Sequence, residues 1–156
     1  MSTQIIKETI NEFLSKMGVE IKSLSIEDSE LPEYTKFLID TPDSGILIGK
    51  DGEHLLALAY VLRKVVEKKF DNDELPKFFI DVGGYQANKI QKIQKVAQIM
   101  ADRATAFKRD IELPPMSAYE RMVIHSTLSE TNNIATESEG QGRFRRVIVR
   151  YTETMN

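Results

Sequence analysis

Apolar residues recur at helical steps near the start of the chain. Over residues 3–17, Ile6, Ile10, Phe13 and Met17 are three or four apart, with Ile5 and Leu14 beside them. This pattern predicts an amphipathic helix, stopped at Gly18. Val19 to Ile26 and Glu33 to Asp40 are rich in β-formers, and the acidic segment Glu27 to Pro32 between them reads as the turn of a hairpin. Thr41 to Gly45 breaks regular structure. A short apolar run, Ile46-Leu47-Ile48, is read as a buried segment that enters a tight Gly49-Lys50-Asp51-Gly52 turn. From Glu53 a helix carries Leu55, Leu58, Ala59, Leu62, Val65 and Val66 on one stripe. Asp71 to Glu74 reads as an exposed turn. Pro76 then opens a strand in which Phe78, Ile80 and Val82 alternate.

The pattern changes after Gly83-Gly84. Tyr85 to Arg109 has helical periodicity, with Ile90, Ile93, Ala97, Met100, Ala104 and Phe107 as its apolar stripe. The stripe is too short for a convincing coiled-coil seam and predicts a face packed on a second module. Lys89, Lys92 and Lys95 sit near one another on its early turns and read as a solvated face. Ile111-Glu112-Leu113 is extended and ended by Pro114-Pro115. Ser117 and Glu120 form a capping-box signature for a helix to about Leu128. Asn132 to Glu137 reads as a strand, Glu139 to Gly142 as a flexible loop, and Arg143 to Tyr151 as a final strand. The expectation is an α+β chain of two modules, residues 1–83 and 84–156.

Charge supports that division. Residues 1–83 hold 10 Lys+Arg against 16 Asp+Glu, while 84–156 hold 11 against 8. An acidic module joined to a basic one suggests different electrostatic duties. The chain has no cysteine, which excludes disulfides, thiolate metal sites and a cysteine nucleophile. No apolar run is long enough for a membrane span and no signal-peptide pattern opens the chain, so a cytoplasmic protein without membrane insertion is expected.

Two places carry candidate chemistry. A Gly-x-x-Gly turn at a helix start lets a backbone approach closely, and the helix's unpaired N–H groups attract a phosphate. Gly49, Lys50 and Gly52 would form such a seat, with Lys50 the best single contact. Asp51 and Glu53 would repel phosphate if turned inward, although acids at a helix start are stabilising for structural reasons alone. His54 follows directly, either as a ligand contact or as a plain surface residue. The second place is Arg121 with His125, four apart and so on one helix face. They are either a pair holding the helix against the final strand or a patch for phosphate and base. Arg143, Arg145, Arg146 and Arg150 add cations nearby in sequence. Phe144 and Tyr85 suit base stacking and rim packing equally. The two histidines lack metal-ligand spacing, and no nucleophile–base pair or Walker motif stands out. A non-enzymatic protein without cofactor or metal is expected.

The order helix, strand, strand, turn-helix, strand is that of a type II KH domain, whose GXXG loop clamps single-stranded nucleic acid. GILIGKDGEHLLALAYVL, FIDVGGYQ, LPPMSAYERMVIHSTL and ATESEGQGRFRRVIV follow one another with close spacing. Together they resemble the KH and R-3-H halves of the bacterial Jag (SpoIIIJ-associated, KhpB-like) family, from about residue 5 to 151. The resemblance implies a cytoplasmic RNA-binding protein linked to control of cell elongation and division, working with a small KH-only partner. It implies that Gly49, Lys50 and Gly52 are the clamp, and that Arg121 and His125 are the R-x-x-x-H pair. Three departures stand out. Asp51 replaces a basic or neutral loop residue. Gln86 and Asn88-Lys89 replace the usual arginines. The family's amino-terminal Jag domain is expected to be absent. The expected ligand is single-stranded RNA, with single-stranded DNA left open. The alternative is a scaffold that pairs with another KH protein. In the RNA reading, Lys50→Ala should weaken binding less than loss of Arg145 and Arg146 together.

Overall fold

A computed structural model describes residues 1–70 and 75–153. The chain divides into two compact units, Met1–Ala87 and Asn88–Asn156, with the boundary in the first turn of one helix. The turn expected over Asp71 to Glu74 lies outside the described residues.

In the first unit, α1 (Ser2–Lys16) buries Ile6, Ile10 and Leu14 on one stripe. Strands β1 (Ser23–Glu27) and β2 (Thr35–Asp40) pair antiparallel from Ser23↔Asp40 to Glu27↔Lys36, as the predicted hairpin requires. β3 (Phe78–Val82) joins β2 in parallel, from Thr35↔Phe78 to Ile39↔Val82, which puts β2 in the centre. A parallel neighbour needs a crossover, and α2 (Ser44–Ile48) and α3 (Glu53–Glu67) supply it. Leu55, Leu58, Leu62 and Val66 of α3 and the buried residues of α1 close over Phe37, Ile39, Phe78, Ile80 and Val82. Phe37 and Phe78 meet edge to face at 6.0 Å.

Two expectations change here. Ile46-Leu47-Ile48, expected as a buried segment, lies in a short helix that buries only part of it. The Asp43 carbonyl accepts from the N–H groups of Ile46 and Leu47, which closes a helical turn. Only Leu47 of the three is buried, and Ile46 is 67% exposed. In β3, alternation predicted one buried face, yet all five residues are buried. Asp81 is among them. Its carboxylate accepts from the backbone N–H of Gln86 at 2.7 Å and of Ala87 at 3.0 Å. Those donors belong to the first turn of the following helix, where they have no partner within the helix. A buried carboxylate is tolerated when it is hydrogen-bonded in this way.

The second unit holds most of α4 (Tyr85–Phe107), then β4 (Ile111–Glu112), α5 (Ala118–Leu128), β5 (Ile134–Glu139) and β6 (Arg146–Tyr151). The strands form an antiparallel sheet in the order β4-β6-β5. Its core joins Ala97, Ala101 and Ala104 to Leu113, Ile124, Leu128, Val147 and Val149. Small residues at the centre of the α4 face let the helix approach closely. Phe107, counted into the stripe, is 71% exposed instead. At 100° per residue it lies roughly 90° round the helix from the direction of the three alanines. The final strand starts three residues later than expected, because Gly142–Phe144 forms a 3-10 turn. β5 is likewise displaced two residues towards the carboxy terminus.

Candidate nucleic-acid interface

The glycine turn of the first unit is a short 3-10 segment, Lys50–Gly52, between α2 and α3. Gly49 has φ 70° and ψ −177°, and Gly52 has φ 80° and ψ 12°. The first combination is almost confined to glycine. Asp51 is also left-handed, at φ 53°, a conformation that aspartate tolerates better than most residues. Two rings brace the turn. His54 Nδ1 lies 2.7 Å from the Ile46 carbonyl, so that nitrogen carries a proton and donates it. Its ring lies over Gly49, where an added Cβ would meet His54 Cγ at 2.4 Å. A Cβ on Gly52 would meet Tyr85 Cε1 at 2.9 Å. Lys50, Asp51 and Glu53 are exposed. The loop thus presents Lys50, while His54 packs against the loop's own backbone.

In the second unit the capping box is complete. Ser117 Oγ accepts from the Glu120 N–H at 3.3 Å, and Glu120 accepts from the Ser117 N–H at 2.9 Å. Glu120 also holds Lys89 at 2.7 Å, so that lysine, still 40% exposed at its side chain, is ion-paired as well as solvated. Arg121 donates to the Met116 carbonyl at 2.7 Å. His125 sits between two hydroxyls, Thr136 Oγ1 at 2.6 Å and Ser138 Oγ at 2.9 Å. Its hydrogen-bond partners are therefore on β5, not on the final strand named in the structural one of the two readings.

Strand periodicity explains the Thr-Glu-Ser-Glu segment. Alternate side chains of β5 point to opposite faces. Thr136 and Ser138 meet His125, while Glu137 and Glu139 both take Arg150 at 2.7 Å. Arg150 also holds Asp110 at 2.9 Å, and its pKa is raised by the hydrogen bonds to Glu137 and Asp110. Arg146 is paired with Glu112. Two of the predicted arginines are thus engaged in ion pairs on one face of β6, over the buried Ile148. Arg121, Arg143 and Arg145 have no carboxylate bridge among the described residues. Arg145 donates to the Gly140 carbonyl at 2.8 Å, and the Arg143 guanidinium lies 5.1 Å from the Phe144 ring centre. Burial, and then the charge of Arg145, hold Arg121 below the ordinary guanidinium pKa.

Sequence reasoning placed the Arg121–His125 pair but missed its supports, Thr136 and Ser138. The period-two alternation of polar residues in β5 was the available signal. It also missed Asp81 as the brace of α4.

Residues 91–151 match the R-3-H domain. Over 142 residues the chain is 29% identical to the RNA-binding protein KhpB of Clostridium symbiosum, covering 91% of this chain and 63% of that one. The chain is similar to proteins named RNA-binding protein KhpB and matches the R-3-H domain over its second unit. The Bacillus subtilis (strain 168) RNA-binding protein KhpB is 29% identical over 122 residues, 77% of this chain and 58% of its own. For Streptococcus pneumoniae serotype 2 KhpB the identity is 26% over 150 residues, 92% of this chain and 44% of that protein. The chain therefore spans less than two thirds of the length of these relatives. Arg121, His125 and the arginines at 143, 145, 146 and 150 all fall inside the R-3-H segment. The glycine turn lies outside it.

Burial, and then the charge of Arg121, lower the pKa of His125 below the usual imidazole value. The folded state therefore favours neutral His125, while the unfolded chain protonates near pH 6.5. This contribution to stability is complete above about pH 6.5 and is lost as pH falls towards the lowered value. Thermal melts should show wild-type protein losing stability on acidification below about pH 6.5 more steeply than a His125→Gln variant. Parallel curves would remove His125 from the pH response.

Proposed function

We propose that this chain binds single-stranded RNA, chiefly through its R-3-H domain, as a binding protein rather than an enzyme. The observation that carries the reading is the separation of the arginines. Arg146 and Arg150 are held by carboxylates, whereas Arg121, Arg143 and Arg145 have no carboxylate bridge among the described residues. Guanidinium forks of this kind match phosphate geometry. The name shared by the relatives, RNA-binding protein KhpB, agrees with it. The first unit would act as a type II KH module, with Gly49, Lys50 and Gly52 as a second and weaker contact. Tethering two weak sites raises avidity without either being strong alone.

In the cell the activity would be post-transcriptional, in the cytoplasm, and tied through the Jag resemblance to elongation and division. A small KH-only protein is the partner that resemblance suggests. No helix among the described residues is long and apolar enough to cross a membrane. The rival role, a scaffold pairing with another protein, draws on Leu56 and Tyr60, one turn apart on α3 and 62% and 64% exposed.

A titration of labelled single-stranded RNA by fluorescence anisotropy tests the reading. The logarithm of affinity should fall linearly with the logarithm of salt concentration, by about 0.7 per phosphate contacted. Lys50→Ala should weaken binding by roughly threefold to tenfold, the loss of one exposed charge contact. Affinity for RNA no greater than for heparin would transfer the function to the scaffold role.

A further inference from the structure

The second unit carries an open groove of about 480 Å3 beside the exposed ring of Phe144. One side is the Leu113-Pro114-Pro115 segment, and the other includes Phe144. Glu112 and Arg146, already paired with each other, complete the lining. Phe144 is 63% exposed, although leaving a phenyl ring in water forfeits its burial energy.

The groove's width is set by hydrogen bonds. Leu113 N–H donates to the Val147 carbonyl at 2.9 Å, and Met116 N–H donates to the Arg145 carbonyl at 3.2 Å. The two prolines are thus tied at both ends to the segment Arg145–Val147 that follows Phe144. They have no N–H of their own and fixed φ angles, so they form a stiff apolar wall. Arg143 lies over the Phe144 ring but does not line the groove, so the ring meets the groove with surface that Arg143 leaves open.

We infer that this groove receives one unstacked base of a single-stranded nucleic acid, held between Phe144 and the prolines, with Arg143 and Arg145 on the neighbouring phosphates. The inference rests on the RNA reading above and adds a base site to it. Every base has an apolar π-face, so such a slot is tolerant of sequence. The charges point the same way. The acid in the lining is neutralised by Arg146, and Arg143 and Arg145 beside the groove have no carboxylate bridge among the described residues. A polyanion carrying flat apolar groups fits that combination, whereas an extended peptide would bring backbone donors and acceptors to apolar walls.

The chain contains no tryptophan, so a Phe144→Trp variant places a single reporter in the groove. Wild type, Phe144→Ala and Phe144→Trp would be titrated with a labelled RNA of about ten nucleotides, within the known range of single-strand site sizes, and with an abasic strand of equal length. Phe144→Ala should weaken binding to the intact strand about tenfold. It should leave the abasic strand and the salt slope unchanged, since the phosphate contacts remain. Phe144→Trp should retain affinity, and its emission should be quenched by the intact strand alone. Equal weakening towards both strands, or unmoved tryptophan emission while anisotropy shows RNA bound, overturns the base site and leaves RNA binding standing. If wild type binds neither strand, both proposals fall. Phe144 is exposed, so melting temperatures of the variants should match wild type and separate these results from misfolding.

Discussion

Replacing Arg121 and Arg145 together by alanine should weaken binding of single-stranded RNA about a hundredfold at low salt. Hydrogen bonds to charged groups contribute about 1.5–3 kcal/mol each. Losing two therefore corresponds to roughly a hundredfold in the dissociation constant, if each arginine contributes near the lower end. The salt slope should fall by about 1.4, the amount expected for two phosphates on a single strand. Their proximity supports treating them as one site, because Arg145 is among the charges that depress the Arg121 pKa. Arg121 also bonds the Met116 carbonyl, so its removal should cost about 1 kcal/mol of stability, visible as a lower melting temperature.

Arg150→Ala is the contrasting case. It strands three carboxylates, Asp110, Glu137 and Glu139, and should act on stability more than on RNA. Arg146, ranked beside Arg145 from sequence, belongs with Arg150 by its pairing with Glu112. If Arg150→Ala reduced affinity as much as the double variant did, the division of the arginines into two classes would be wrong.

Gly49→Ala should destabilise the protein by about 2–4 kcal/mol, a large share of a domain's stability. Two costs combine. The backbone at φ 70° and ψ −177° is strained for any residue with a Cβ. The new methyl group would also lie 2.4 Å from His54 Cγ. A Gly49→Ala/His54→Ala double variant separates the two. Removing the ring should recover the steric part and leave the backbone part, so the double variant should be more stable than the sum of the single effects. Chemical denaturation measures all three. Strict additivity would mean that His54 does not brace the turn.

The legibility of this chain varied with the range of the interactions. Amphipathic helices, the hairpin and the capping box were readable because each depends on residues a few positions apart. The Ile46 to Ile48 run was read as wholly buried because an apolar triplet does not show which of its residues a single helical turn leaves exposed. Its outcome depended on the Asp43 carbonyl capturing two N–H groups. Phe107 was misread because spacing alone does not give the direction in which a helix packs.

The candidate site divides along the same line. By itself the sequence determined that a Gly-x-x-Gly turn opens a helix, that Arg121 and His125 share a helix face, and that arginines crowd residues 143–150. Each follows from backbone geometry over one or two turns. Only the tertiary structure decided what those groups are available to do. Arg150 meets an acid 40 positions away, Arg146 one 34 positions away, and His125 two hydroxyls on another element. Whether a cation faces a carboxylate or solvent depends on strand register across the sheet, which no local pattern contains.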